Sequence, residues 1–223
     1  IPEFVEKHRK RILIGYGLVF ALFLYGTASV KIDSNFQELT REGSSIRVTA
    51  EIIDQKMMGG QNMEVMLQFD RADALKDPKV LKAIDLFQHF VIRQYPEYVV
   101  KTFSLADFVK QTNQAMHQDQ EAFHRIPDDP LLTAQLLYLF DNANPEDRRN
   151  LVSDDYSTSH ITLQLKNAGS YEYTRFFDEV NRDIHTIFGQ LRTDYGEVSL
   201  EVTGALPLMM KLVEHISWAQ LNS

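Results

Sequence analysis

The stretch from His160 to Thr203, HITLQLKNAGSYEYTRFFDEVNRDIHTIFGQLRTDYGEVSLEVT, has the most regular hydrophobic pattern of the chain. At both of its ends apolar and polar residues alternate, which predicts two strands that each bury one face. Between them an apolar stripe follows the period of an α-helix, which predicts one long amphipathic helix. The stripe consists of Tyr173, Phe176, Phe177, Val180, Ile184, Ile187, Phe188 and Leu191. The stretch therefore predicts a strand–helix–strand unit.

A second unit of the same kind lies earlier in the chain, in residues 62–103. The segments NMEVMLQF and EYVVKTF predict its two strands. The segment between them, DPKVLKAIDLFQHFVIRQ, predicts a helix with Asp77 as its N-cap and Pro78 in its first turn. Two such units can share one antiparallel sheet with both helices on one side. The predicted fold class is therefore α+β, with a ferredoxin-like split βαβ arrangement.

A segment of about residues 104–150 separates the two units and interrupts this order. Two segments there, SLADFVKQTNQAMHQ and DPLLTAQLLYLF, have helical patterns, and a Pro/Asp break at Ile126–Pro130 separates them. NPEDRRNL predicts a further short helix. We therefore predict a helical insertion within a domain that spans residues 61–204.

The flanking segments differ from this domain. Residues 31–60 predict a linker and a short helix, SSIRVTAEIIDQKM, that ends at Gly59 and Gly60. Residues 205–223 are helical in pattern and include Trp218, a residue type that is common at membrane interfaces. We therefore expect residues 205–223 to form a helix that leads to a further membrane span.

The N-terminal segment contains an uncharged apolar run from Ile12 to Val30. At about 1.5 Å per residue, a helix of this length spans roughly 28 Å, close to the thickness of the hydrocarbon core. Basic residues crowd residues 1–11, which predicts a cytoplasmic flank by the positive-inside rule. We therefore predict a transmembrane helix over residues 12–30, with the rest of the chain outside the cytoplasm. A signal peptide and a buried core helix are the alternative interpretations.

Composition limits the function further. The chain has 223 residues, a net charge of −8 and no cysteine. The negative charge disfavours binding to nucleic acid, and the absence of cysteine excludes disulfides and thiolate metal sites.

The sequence shows no catalytic, metal-binding or cofactor-binding motif. The histidines that follow the basic cluster do not form HExxH or a similar spacing. The segment VSDDYSTSH contains Ser157 and His160, but it predicts a turn before a strand rather than a catalytic triad. We therefore predict that the chain is not an enzyme and that substitution of Ser157 or His160 by alanine leaves its chemistry unchanged. Substrate-binding residues are unknown from the sequence. Tyr173, Phe176 and Phe177 are candidates only if they lie outside the core.

Several segments in a fixed order carry a resemblance to a known family. They are HRKRILIGYGLVF, VKIDSNFQEL, SSIRVTAEIID, MMGGQNMEVML, DPKVLKAIDLFQHFV, VVKTFSLADFVKQTNQAM, LVSDDYSTSHITLQL and SLEVTGALPLMMKL. In this order the chain resembles the resistance–nodulation–division (RND) superfamily of exporters, particularly the MMPL-type and hopanoid or hydrophobe exporters. The similarity covers nearly the whole chain.

The resemblance implies a fragment of a transporter: one transmembrane span followed by its periplasmic porter domain. The implied function is export of lipid-like or other hydrophobic molecules from the bacterial inner membrane, driven by the proton-motive force. The implied partners are the lipid bilayer, the remaining transmembrane bundle and the second porter domain of the same transporter, and a homo-oligomer is left open. The proton-relay carboxylates of the family lie in later spans, so none is assigned here. The charged segment before the span favours the second half of the transporter.

An alternative function comes from a different class. A single-span membrane-anchored periplasmic binding or scaffold protein has the same N-terminal pattern. The two functions differ in whether further apolar spans follow Ser223. The helical insertion of residues 104–150 is the element that we expect to vary with substrate or partner.

Overall fold

The computed structural model describes residues 2–28, 41–56, 60–143 and 145–221, and it divides into two compact parts. The N-terminal part is Ile1–Ser34, and the larger part, here called the folded domain, is Asn35–Ser223. The helices are α1 (Pro2–Ala28), α2 (Ser45–Lys56), α3 (Pro78–Gln94), α4 (Leu105–Met116), α5 (Pro130–Ala143), α6 (Pro145–Leu151), α7 (Ser170–Phe188), α8 (Arg192–Tyr195) and α9 (Ala205–Leu221). The strands are β1 (Gln61–Phe69), β2 (Val99–Phe103), β3 (Thr158–Leu165) and β4 (Val198–Thr203).

The described residues of the N-terminal part form α1. Its large apolar side chains from Leu13 to Tyr25 are 52–77% exposed. The segment His8–Thr27 is long and apolar enough to cross a membrane, a property that a signal sequence shares. The helix begins before the predicted span, because the basic flank of residues 2–11 is also helical. Ser29 and Val30, at the end of the predicted span, lie outside the described residues.

The folded domain is built on one four-stranded antiparallel sheet with the strand order β2-β3-β1-β4. β1 pairs with β3 from Gln61↔Leu165 to Gln68↔Thr158. On its other side it pairs with β4 from Glu64↔Thr203 to Phe69↔Val198. The mixed helix and sheet content agrees with the predicted class.

One face of the sheet forms the core with α3 and α7. Alternate residues of β1 point into it and are almost fully buried, as strand periodicity requires; they are Met63, Val65, Leu67 and Phe69. The rings of Phe87 on α3 and Phe188 on α7 meet above the sheet with centroids 5.6 Å apart. The predicted alternation of β1 is therefore confirmed, and most of the predicted α7 stripe is buried, whereas its members Phe177 and Ile187 are half-buried.

Local sequence signals fix the start of two helices. The Asp77 carboxylate accepts a hydrogen bond from the Lys79 N–H at 2.9 Å, and Pro78 follows the cap as predicted. The Ser104 side chain caps α4, and the Asp107 carboxylate in turn accepts a hydrogen bond from the Ser104 N–H at 3.0 Å. The insertion thus begins at a capping box directly after β2.

The insertion is helical, and its core joins the main core. The rings of Phe108 on α4 and Phe140 on α5 have centroids 3.7 Å apart. The Asn113 amide donates to the carbonyls of Phe123 and Arg125, at 2.8 and 2.9 Å, and holds the loop before the predicted break.

Two predicted helix ends differ from the structure or fall outside it. α7 ends at Phe188, and the predicted last residue, Leu191, lies in a 3₁₀ turn but remains buried. The tighter turn begins at Gly189, a residue that favours helix ends. The predicted end of the α2 segment at Gly59 lies outside the described residues.

Candidate functional site

A groove of about 610 Å³ lies between α7, β4 and the first turns of α9. It is open to solvent on one side. Its lining residues are Thr174, Phe177, Asp178, Asn181, His185, Leu200, Glu201, Val202, Pro207, Met210 and Lys211. We call it the α7–α9 groove.

The helical period of α7 divides its side chains between the core and this groove. The core side chains recur at three- and four-residue steps and are Tyr173, Phe176, Val180, Ile184 and Phe188. A second row, offset by one residue around the helix, begins at Thr174 and reaches His185. Phe177 belongs to this second row and is half-buried. It is therefore the aromatic residue that α7 contributes to the groove.

The three sequence candidates separate in the structure. Tyr173 and Phe176 are core residues with 2% and 1% exposure. The Phe176 ring packs against Tyr98 with a centroid distance of 4.9 Å, and the Tyr173 hydroxyl donates to the Lys166 carbonyl. Phe177 stacks on Tyr173 at 5.6 Å and lines the groove. Of the three, only Phe177 is placed to contact a ligand in the groove.

The lining combines apolar and charged groups. Its apolar residues are Phe177, Leu200, Val202, Pro207 and Met210. Two carboxylates, of Asp178 and Glu201, and one ammonium, of Lys211, share the same walls. Ligand sites typically combine an apolar surface with a few polar groups, so this groove suits a ligand with an apolar part and a polar end.

A close backbone contact positions α9 at the groove. Gly204, in the turn from β4 to α9, has φ +106°, a conformation that side chains with a Cβ rarely adopt. A Cβ at this position would lie 3.1 Å from the Glu64 backbone nitrogen. The turn therefore rests on β1, and it directs Met210 and Lys211 to the groove.

The α9 side of the groove was not predicted from the sequence. Met210 and Lys211 belong to a segment whose helical pattern was visible, but periodicity does not show which element a helix face meets. The available signal was Thr203-Gly204 at the end of a predicted strand, because a glycine there predicts a tight turn into the next element.

A second cavity, of about 490 Å³, lies between α3 and the insertion and is polar. Lys110, which is 7% exposed, forms ion pairs there with Asp85 and with Asp107, the latter at 3.0 Å. Burial alone lowers the pKa of Lys110, but the hydrogen bonds to both carboxylates outweigh it and raise the pKa above its usual value. Lys82 pairs with Asp128 at the mouth and lowers the pKa of that carboxyl. The ammonium groups of Lys110 and Lys82 are both paired, so we assign this cavity a structural role.

A third cavity lies on the opposite face of the sheet. Glu64 accepts a hydrogen bond from the Thr162 hydroxyl at 2.9 Å and lies 3.6 Å from His160 Nε2. Ser157 donates to the Asp155 carboxylate at 2.8 Å. Ser157 and His160 therefore have other partners and form no dyad with each other. Within residues 2–28, 41–56, 60–143 and 145–221, no group of three or more His, Asp or Glu side chains is arranged to hold a metal ion.

Comparison of the chain with protein-family models, with curated proteins and with solved structures gives no match.

Proposed function

We propose that the chain is part of an exporter in the bacterial inner membrane that moves lipid-like or other hydrophobic molecules and is driven by the proton-motive force. In this proposal α1 is a transmembrane span and the folded domain is its periplasmic porter domain. The observation that carries the proposal is the exposed apolar surface of α1, joined in one chain to an α+β domain with a four-stranded antiparallel sheet.

The strand order supports the ferredoxin-like part of the proposal. Two strand–helix–strand units, β1-α3-β2 and β3-α7-β4, interleave as β2-β3-β1-β4, and both long helices contribute to the core on one face. This is the arrangement expected when two split βαβ units share a sheet. The insertion, α4 to α6, enters between the units.

Glycines in α1 favour a membrane span over a signal peptide. Gly15, Gly17 and Gly26 have open space at the Cβ position among the described residues. Such positions allow neighbouring membrane helices to approach closely. We propose that α1 packs there against the remaining transmembrane bundle of the transporter. The basic residues before it place the N-terminus in the cytoplasm in this proposal.

The surface of α9 fits the same proposal. Leu208, Met209 and Leu212 are 60%, 45% and 59% exposed. Apolar side chains on this scale favour contact with lipid or with further helices over contact with water. We propose that α9 leads to the next span.

The first test is the mass of the native membrane protein, detected with an antibody against Ser45–Gly204. We expect a band far above the 25.8 kDa of this chain, because a transporter contains further spans. A band at 25.8 kDa would instead support the single-span binding or scaffold protein.

A second test concerns the α7–α9 groove in the whole protein. We expect Phe177→Ala to lower efflux of an apolar dye several-fold, because it removes the aromatic wall of the groove. Tyr171→Ala is the matched control, since Tyr171 is exposed on the same helix outside the groove. Equal efflux by both variants would remove the groove from the transport path.

Deletion of residues 104–150 tests the insertion, and an unchanged substrate range would contradict its role in selectivity.

A further inference from the structure

The two edges of the sheet are built differently. β2, at one edge, has five residues, a register irregularity between Val99 and Lys101, and an exposed lysine at Lys101. Short length, irregular register and lysine are common protections against pairing with another chain. β4, at the other edge, has six residues in continuous register with β1 and contains neither lysine nor proline. The edge at β4 therefore lacks the protections found at β2.

The hydrogen-bond phase of β4 shows which backbone groups face outward. The Asp70 N–H donates to the Glu197 carbonyl at 3.4 Å, so residues 197, 199, 201 and 203 bond to β1 in the alternating antiparallel pattern. Val198, Leu200 and Val202 consequently direct their N–H and C=O groups away from the sheet. No backbone hydrogen bond joins these outward groups to another residue in the part of the chain that the structure describes.

The α7–α9 groove lies along this edge. Three consecutive residues of β4, Leu200 to Val202, form its base, and α7 and α9 form its walls. The side chains of an added strand would alternate between two environments. One set would contact Phe177 and Met210 in the groove, and the other would lie beside the Glu201 carboxylate.

We propose that the edge of β4 binds an extended segment of a partner protein as a fifth strand. The partner segment has apolar residues at every second position, which fit the groove, and basic residues between them, which pair with Glu201. The net charge of the chain, −8, likewise favours a positively charged partner. Backbone hydrogen bonds supply affinity in this mode of recognition, and the alternating side chains supply specificity. The proposal goes beyond the transport function and does not depend on it.

The test uses the full chain in detergent micelles and an acetylated, amidated heptapeptide, KVKVKVK, with a peptide of the same composition in blocked order, KKKVVVK, as control. Amide hydrogen exchange is measured by NMR for β4. We expect the alternating peptide to slow exchange of the Leu200 and Val202 amides at least about tenfold. Ser199 and Glu201 should change little, because their amides already bond to β1. Equal protection by both peptides, or none at the outward amides, would overturn the proposal.

Backbone methylation of the peptide gives the direction of pairing without altering the protein. In an antiparallel pair the bonded residues have their side chains on the same face as Leu200, so methylation of the valine amides should abolish binding. In a parallel pair methylation of the lysine amides should do so. Binding that survives both modifications would show that the protein contacts only the side chains of the peptide. This result would contradict strand addition.

Two variants of the protein complete the test. Val202→Pro removes an outward N–H while the bonds to β1 remain, and edge strands accept proline at such positions. We expect it to weaken peptide binding at least tenfold, and Glu201→Lys to weaken it several-fold. Lys101→Glu at the β2 edge is the matched control and should leave binding unchanged. An effect of the control equal to that of Val202→Pro would locate binding elsewhere and refute the proposal.

Discussion

The two strand–helix–strand units share one core but differ in what their helices do on the outer side. In the first unit, the side of α3 that carries Asp85 and Gln88 contacts the insertion through a partly buried polar network. In the second unit, the outer face of α7 borders the open α7–α9 groove. The same supersecondary unit thus serves once as a support for the insertion and once as one wall of an open groove, and the neighbour of its helix decides which.

The polar network on α3 is well satisfied. Gln88, 3% exposed, donates to the Thr102 hydroxyl at 3.1 Å and accepts from the Ser104 hydroxyl at 2.9 Å. Its amide also donates to Asp107, which pairs with Lys110. Buried polar groups in such networks specify one arrangement of the elements that carry them. The second unit contacts α3 and its flanking residues through the part-buried pair Tyr95–Asp183 and the exposed pair Lys79–Asp194.

The largest expected effect tests the core that the two units share. Phe87 and Phe188 are fully buried and in contact, so alanine at either position should destabilise the chain by about 3–5 kcal/mol. The double variant should lose less than the sum, because the two cavities merge. Urea denaturation of the single and double variants measures both quantities. Strict additivity would mean that the units have separate cores.

The next effect concerns the support role of the first unit. Lys110→Met leaves the carboxylates of Asp85 and Asp107 partly buried without a cation, so we expect a loss of about 2 kcal/mol. Lys82→Met is the control, since the Lys82–Asp128 pair is exposed and should matter little. Thermal unfolding compares the two variants. A larger effect at Lys82 would contradict the assignment of the network as the attachment of the insertion.

A comparable effect is expected at the turn that shapes the groove. Gly204→Ala places a residue with a Cβ at positive φ and brings that Cβ too close to the β1 backbone. We expect it to destabilise the chain by about 2 kcal/mol. Gly43→Ala shares the positive φ but meets open space among the described residues, so about 1 kcal/mol is expected. Denaturant midpoints of both variants give the difference. Equal losses would show that the contact with Glu64 is not rigid.

The smallest effect appears at alkaline pH. Burial, followed by the hydrogen bond to Asp183 at 2.6 Å, raises the pKa of Tyr95 above its usual value of 10.0. The unfolded chain loses this proton near pH 10, whereas the folded chain retains it. Stability is therefore fully present below pH 10 and falls as the pH rises above it. Tyr95→Phe should reduce the total loss of stability between pH 8 and pH 11 by about 1 kcal/mol.

Tyr138→Phe is the control for the alkaline prediction, because Tyr138 is 66% exposed. It should leave the pH profile unchanged. Unfolding free energies between pH 8 and pH 11 measure both variants. A profile that is equally steep with and without the Tyr95 hydroxyl would contradict the link between α3 and α7.

Much of the fold could be predicted because local periodicity is a property of single segments. Alternation located the strands, the 3.6-residue period located α3 and α7, and Asp77-Pro78 located a helix start. The order of strands and the pairing of helix faces were less accessible, because they depend on contacts between distant segments. Phe177 illustrates the limit for the site. Its residue type fits the core stripe, and only the position of α9 shows that it lines a groove.

Lys110 and Gln88 were not predicted as buried residues, for a related reason. Each is polar and lies in a helix whose apolar stripe was clear, so the pattern assigned them to solvent. Their burial follows from the docking of α4 against α3, and their partners come from both helices and from the end of β2. A polar network that closes only in three dimensions leaves no regular pattern in one segment.

The contact of Gly204 with β1 also has a mechanical consequence. The turn lies so close to β1 that a Cβ at Gly204 would meet the backbone of Glu64. α9 starts directly after this turn and extends about 25 Å over its 17 residues, so we expect forces on its far end to act on the sheet at this turn. A sideways displacement of the far end of this helix is expected to reach β1 as a torque and to change the width of the groove at its base.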